Sequence, residues 1–152
     1  MRSDTDLLAT LQGAEPVRVL VAEDDPDILE MLVMALSDRG MEVTSARHGG
    51  EALALLRGAA RLPQLILTDL RMRGGDGAAF LIEQRADPAL AAIPVVIMTA
   101  LGVDAQRATG IEVAAWLSKP LRLHDLFATI AASIAPAERI DRLAEAHAEA
   151  LA

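Results

Sequence analysis

The chain has 152 residues with a net charge of -8, and 53% of it is apolar but only 2% aromatic. That is enough for one domain with an aliphatic core. The negative balance excludes a partner bound through its phosphate backbone, because such binding needs clustered Lys and Arg. There is no cysteine, hence no disulfide framework. No segment has the apolar core of a signal peptide or the length of a membrane span, so a soluble, cytoplasmic protein is expected.

Residues 1–16 read as a polar lead with a helical turn at Asp4–Leu11. Val17–Ala22 is a short apolar run without strict alternation, the pattern of a strand buried on both faces. Pro26–Arg39 follows as an amphipathic helix with Ile28, Met31, Leu32, Ala35 and Leu36 on one face. Asp25 suits its N-cap, Pro26 its first position and Gly40 its stop, with Asp27 facing solvent. Met41–Ala46 alternates more, as an edge strand would. Gly50–Arg57 is helical, with Ala52, Leu55 and Leu56 inward. Gln64–Thr68 is a third strand, followed by a helix at Gly77–Arg85 that carries Phe80 and Leu81, with Asp76 as its cap. Ile93–Thr99 is a fourth strand, Val103–Gly110 a short helix and Val113–Leu117 a fifth strand. Leu123–Ala135 closes the series as a helix with Leu126, Phe127, Ile130 and Ile134 inward. Residues 136–152 read as a helical extension with a thin apolar face. His48, His124 and His147 lack metal-ligand spacing and read as surface histidines.

Strands alternating with helices imply right-handed crossovers and an α/β doubly wound parallel sheet. In such a sheet, sites form beyond the carboxyl ends of the strands. Glu23 and Asp24 follow the first strand, Asp69 the third and Lys119 the fifth, while Thr99 ends the fourth. Three carboxylates, a hydroxyl and an ammonium thus share one rim. The carboxylates would repel one another when empty, and a hard divalent cation such as Mg²⁺ relieves that repulsion. A cation and a lysine together suit a phosphoryl group, and a carboxylate nucleophile would give an aspartyl phosphate.

The motifs "VLVAEDDPDIL", "LILTDLRMRGGDG", "VVIMTA" and "AAWLSKP" resemble those of the receiver domain of two-component response regulators. Asp24, Asp69, Thr99 and Lys119 stand 45, 30 and 20 residues apart in turn, intervals that fit the family. The resemblance covers residues 17–135 and implies a flavodoxin-like, five-stranded sheet of order 2-1-3-4-5 with about five helices, as in a single-domain response regulator. It also implies that Asp69 is the phosphoacceptor. Asp24 would hold Mg²⁺ directly and Glu23 through water, with the backbone carbonyl of Arg71 as a further ligand. Thr99 and Lys119 would contact the phosphoryl group. The Lys119–Pro120 bond would be cis. Trp116 stands at the family's switch-aromatic position; packing is the alternative reading of that residue.

The implied donor is a histidine kinase or histidine phosphotransfer protein, and the implied output is contact with a downstream protein. Neither nucleic acid nor membrane is an expected partner; a homodimer is compatible. Such a domain is a switch rather than an enzyme, catalysing only its own phosphoryl uptake and loss. Two other readings stand beside it. A Mg²⁺-dependent phosphohydrolase with an aspartate nucleophile would want a second Asp where this chain has Arg71. A phosphorylation-independent interaction module would have no need of the five polar positions. The chain departs from the family at Arg73, where many receivers have Pro, and at Gly75, where a larger residue is usual. Arg71 and Leu101 are bulky neighbours of the path of hydrolytic water, which implies slow loss of the phosphoryl group.

Overall fold

The computed structural model describes residues 15–72 and 77–134. The lead, the Asp76 cap, Arg73, Gly75, His147 and the extension at 136–152 therefore fall wholly or largely outside the described residues. The elements alternate without exception: β1 (Arg18–Ala22), α1 (Pro26–Asp38), β2 (Glu42–Ala46), α2 (Gly49–Gly58), β3 (Leu65–Asp69), α3 (Gly77–Ala86), β4 (Val95–Thr99), α4 (Val103–Ala108) and β5 (Ala115–Ser118). A fifth helix, α5, spans 123–134. The five strands are parallel, in the order β2-β1-β3-β4-β5.

The apolar runs without alternation occupy the middle of the sheet. Every residue of β3 and β4 is buried, because helices cover both faces. Val17, Val19 and Val21 pack with Leu32 and Leu36 of α1 and Leu126 and Ile130 of α5 on one side. Leu20, Ile66 and Ile97 pack with Leu53 and Leu56 of α2 and Phe80 and Leu81 of α3 on the other. The period-2 pattern of the strand side chains divides the two layers. β2 is the edge strand its alternation suggested, with Glu42, Thr44 and Ser45 exposed.

Asp25 caps α1, its side chain accepting from the amides of Asp27 (2.9 Å) and Ile28 (3.3 Å). Gly40 supplies the left-handed turn that ends the helix, at φ 79. The buried stripe is turned slightly from the expected one: Leu29, Leu32 and Leu36 are buried, while Met31 is 37% exposed. Leu29 is seven residues from Leu36, two helical turns, and the stripe follows that line. In α2, likewise, Leu53 is buried and Leu55 only half-buried. α4 is formed but short, ending two residues before the expected Gly110. Gln106 ties it down by donating from Nε2 to the Leu101 carbonyl at 2.9 Å.

His48 is not a plain surface residue. It is half-buried and is the N-cap of α2, its Nδ1 accepting from the Glu51 amide at 3.1 Å. Glu51 returns the favour through the Arg47 amide at 3.3 Å, a variant of the reciprocal capping box.

Candidate functional site

Two strand ends deliver the three acids. Glu23 and Asp24 follow β1 directly, and Asp69 is the last residue of β3 rather than the first beyond it. β1 and β3 are neighbours in the sheet, so their carboxyl ends lie side by side. Carboxylate oxygens of Glu23, Asp24 and Asp69 all lie within 4.8 Å of one another. Glu23 is 1% exposed and Asp69 8%; Asp24 is half-buried.

Lys119 reaches this group from the loop after β5. Its Nζ donates to Asp69 Oδ2 at 2.5 Å and to Glu23 Oε2 at 2.9 Å. The following bond to Pro120 is cis, as the resemblance implied. Asp69 Oδ1 accepts from the Arg71 amide at 3.0 Å, and Glu23 Oε1 from the Asp25 amide at 3.2 Å. Each carboxylate thus keeps one oxygen on a backbone amide and one on the ammonium.

The electrostatics follow from burial. Glu23 is held above the ordinary carboxylate range. Burial is the main cause and the charge of Asp69 adds to it, while Lys119 and the Asp25 amide act the other way. For Lys119, burial works against the charged form, but Asp69 and Glu23 together outweigh it and raise the ammonium above its usual value. The site is therefore a set of carboxylates, one of them costly to keep ionised, beside a firmly protonated lysine.

Thr99 ends β4, one residue past the partner of Asp69 in the β3–β4 register. It is 4% exposed, and its hydroxyl accepts from the Leu101 amide at 3.1 Å. Trp116 lies in β5 opposite Ile97, half-buried against the α2–α3 core layer. It also walls a surface hollow of about 460 Å³ beside Val103, Gln106 and Arg107 of α4. The structure thus joins Glu23, Asp24, Asp69 and Lys119 in one cluster and sets Thr99 at the adjacent strand end. Trp116 faces α4, away from that cluster's contacts.

Two positioning features were not among the expected site residues. Gly77 opens α3 against the backbone of Asp69 and Leu70. A Cβ there would collide with the Asp69 carbonyl and come to 2.7 Å from that of Leu70. The signal was a glycine as the first helical residue, eight after Asp69. The other is backbone only: the Glu23 amide donates to the Ala46 carbonyl at 3.0 Å, which fixes the turn after β1 against the end of β2. No residue type marks such a contact.

The donor set is all oxygen, with a lysine bridging two of the carboxylates. Comparison with known proteins bears on the family and the fold. The family model described as "Response regulator receiver domain" matches residues 19–131. Response regulator Rre1 of Synechocystis is 34% identical over 120 residues, which is 77% of this chain and 51% of that protein. The phosphate regulon transcriptional regulatory protein PhoB of Escherichia coli is 33% identical over 117 residues, 76% of this chain and 50% of its own length. The chain spans about half the length of these two relatives. Among solved structures, the chemotaxis response regulator CheY4 of Vibrio cholerae is similar with a TM-score of 0.69 at 26% identity, covering 76% of this chain and 96% of that one. A response regulator receiver protein from Pseudomonas putida gives 0.68 at 28% identity, covering 77% and 97%. Sheet order, rim geometry and family match together place this chain in the receiver domain family of two-component response regulators.

Proposed function

We propose that the domain takes a phosphoryl group from a phosphohistidine onto Asp69 and signals by protein contact. The observation that carries this reading is the convergence of Lys119 on both Asp69 and Glu23 beside Asp24. A carboxylate oxygen of Asp69 attacks phosphorus. The P–N bond of the donor breaks, its electron pair returns to the imidazole nitrogen, which takes up a proton, and Asp69 becomes a mixed anhydride. Lys119 exchanges its Asp69 contact for a phosphoryl oxygen, and the Thr99 hydroxyl turns from the Leu101 amide to another. The Arg71 amide holds Asp69 Oδ1 in place while Oδ2 reacts.

The oxygen donors and the elevated Glu23 fit a hard cation. Asp24, Asp69 and the Arg71 carbonyl would hold Mg²⁺ directly, and Glu23 through water. When bound it neutralises charge on the transferring phosphoryl oxygens. The donor is a histidine kinase or histidine phosphotransfer protein, in keeping with a cytoplasmic domain, and the product state acts on a downstream protein or a second copy. Trp116, against α4, would report or carry the change. Arg71, where a phosphohydrolase of this type would place its acid/base aspartate, supports a switch rather than a turnover enzyme.

Incubation with a small acyl phosphate and Mg²⁺, followed by intact mass measurement, tests the reading. One phosphoryl group per chain is expected, absent in Asp69→Asn. The bulk of Arg71 and Leu101 beside the site supports a label lasting minutes or longer. Continuous phosphate release would favour the phosphohydrolase, and no uptake the interaction module.

A further inference from the structure

The central strand β3 is buried along its whole length and is apolar until Thr68. Thr68 is fully buried and stands one residue before Asp69. In the ladder it lies between Ala22 of β1 and Ile97 of β4. Both belong to the layer under α2 and α3, so the Thr68 side chain shares that face. A hydroxyl set among aliphatic neighbours gives up its water and must find a partner in the protein. Valine has the same branched shape and would make no such demand.

The partner is the backbone carbonyl of Asp69. Thr68 Oγ1 donates to it at 3.0 Å, and the bond is buried. The same carbonyl meets the amino end of α3, where Gly77 leaves free the space that any side chain would take. The carboxylate of Asp69 is held separately, Oδ1 accepting from the Arg71 amide at 3.0 Å, with Oδ2 turned to Lys119. Asp69 is thus gripped through its main chain as well as its side chain. The two grips differ in kind. Lys119 and Thr99 exchange partners when a phosphoryl group arrives, whereas the Thr68 bond comes from the interior, where neither a cation nor a phosphoryl oxygen competes for it.

We infer that Thr68 is a positioning residue for the Asp69 nucleophile: its buried hydroxyl fixes the Asp69 carbonyl against α3 and so aims the carboxylate. The inference rests on the acceptor role of Asp69 proposed above. Without the hydroxyl, rotation about that peptide unit displaces the carboxylate, and attack on phosphorus is sensitive to such displacement.

Thr68→Val removes the hydroxyl and keeps the branched shape, while Thr68→Ser keeps the hydroxyl and loses the methyl. Two readouts on the full chain separate the inference from the reading beneath it. The first needs no phosphoryl chemistry. Exchange of the Arg71 amide, followed by NMR far below the unfolding transition, should be about tenfold faster in the valine variant and within about twofold of the unaltered protein in the serine variant. The second is the rate of phosphoryl uptake from a small acyl phosphate at saturating Mg²⁺, measured by intact mass. It should fall about tenfold or more in Thr68→Val and recover in Thr68→Ser. No label on the unaltered protein would remove the acceptor role and with it the inference about attack; Arg71 exchange then shows separately whether Thr68 holds Asp69. Unchanged Arg71 exchange in the valine variant, or uptake at the full rate, overturns the inference. So does an equal loss in the two variants, which would make packing of the methyl group the cause.

Discussion

At the scale of single residues, Glu23 carries a cost that a cation should relieve. Its carboxyl is raised chiefly by burial, so its folded pKa lies above its unfolded one. The contribution to stability is then fully present below the unfolded value near 4.5 and is lost as pH rises through the folded value. Glu23→Gln removes that dependence, though its one amide oxygen can accept from only one of Lys119 and the Asp25 amide; in a chelator its melting temperature should therefore fall less than that of the unaltered protein as pH rises above 4.5. The same change should weaken Mg²⁺ binding about tenfold or more. Thermal melts across pH with and without Mg²⁺ check both; a variant whose melting temperature falls as steeply with pH would contradict the sign. Gly77 makes a different demand. Gly77→Ala drives a methyl into the Asp69 and Leu70 carbonyls, and should cost about 1–3 kcal/mol while slowing phosphoryl uptake. Chemical unfolding alongside the mass assay checks the pair, and an unperturbed variant in both would show that α3 can retreat freely.

Among elements, the α3–β4 connection rests on one buried amide. Gln84 is 1% exposed and donates from Nε2 to the Leu90 carbonyl at 2.7 Å and the Ile93 carbonyl at 3.4 Å. Its Oε1 is buried with no hydrogen-bond partner. Gln84→Ala removes the donor these carbonyls share and should destabilise by about 1–3 kcal/mol, read by urea unfolding; a loss near zero would mean water replaces the amide. Periodicity could not reveal this residue, because a helix pattern treats Gln as solvent-facing. The same limit explains His48, whose cap uses a ring nitrogen rather than a hydroxyl or carboxylate. It explains Met31 as well: counted as apolar, it sits one position off the line through Leu29, Leu32 and Leu36. Asp69 was expected just beyond its strand and lies within it, since the count of apolar residues stopped at Thr68 while the ladder to Met98 runs one further. What patterning did expose was the order of elements and the residues at four strand ends, because both follow from burial on two faces and from charges placed where burial stops.

For the molecule as a whole, the lone tryptophan stands between the β4–β5 ladder and the hollow beside α4. Trp116 shares β5 with Ser118, which pairs with Thr99, and it packs against the core layer that contains Ile97. If the site and this surface are coupled, adding beryllofluoride with Mg²⁺ should shift its emission, and Asp69→Asn should abolish the shift. Unaltered emission would return Trp116 to plain packing.

Lys119 meets Glu23 across 96 positions of sequence, and the strand that precedes it is the last of the five. A ribosome-bound polypeptide that has emerged only as far as β4 carries the acidic trio without its ammonium. On the chemistry proposed above, such an unfinished product lacks the cation that is to meet a phosphoryl oxygen. Completion of the rim would then wait on the last of the described strands, in whatever order the others form.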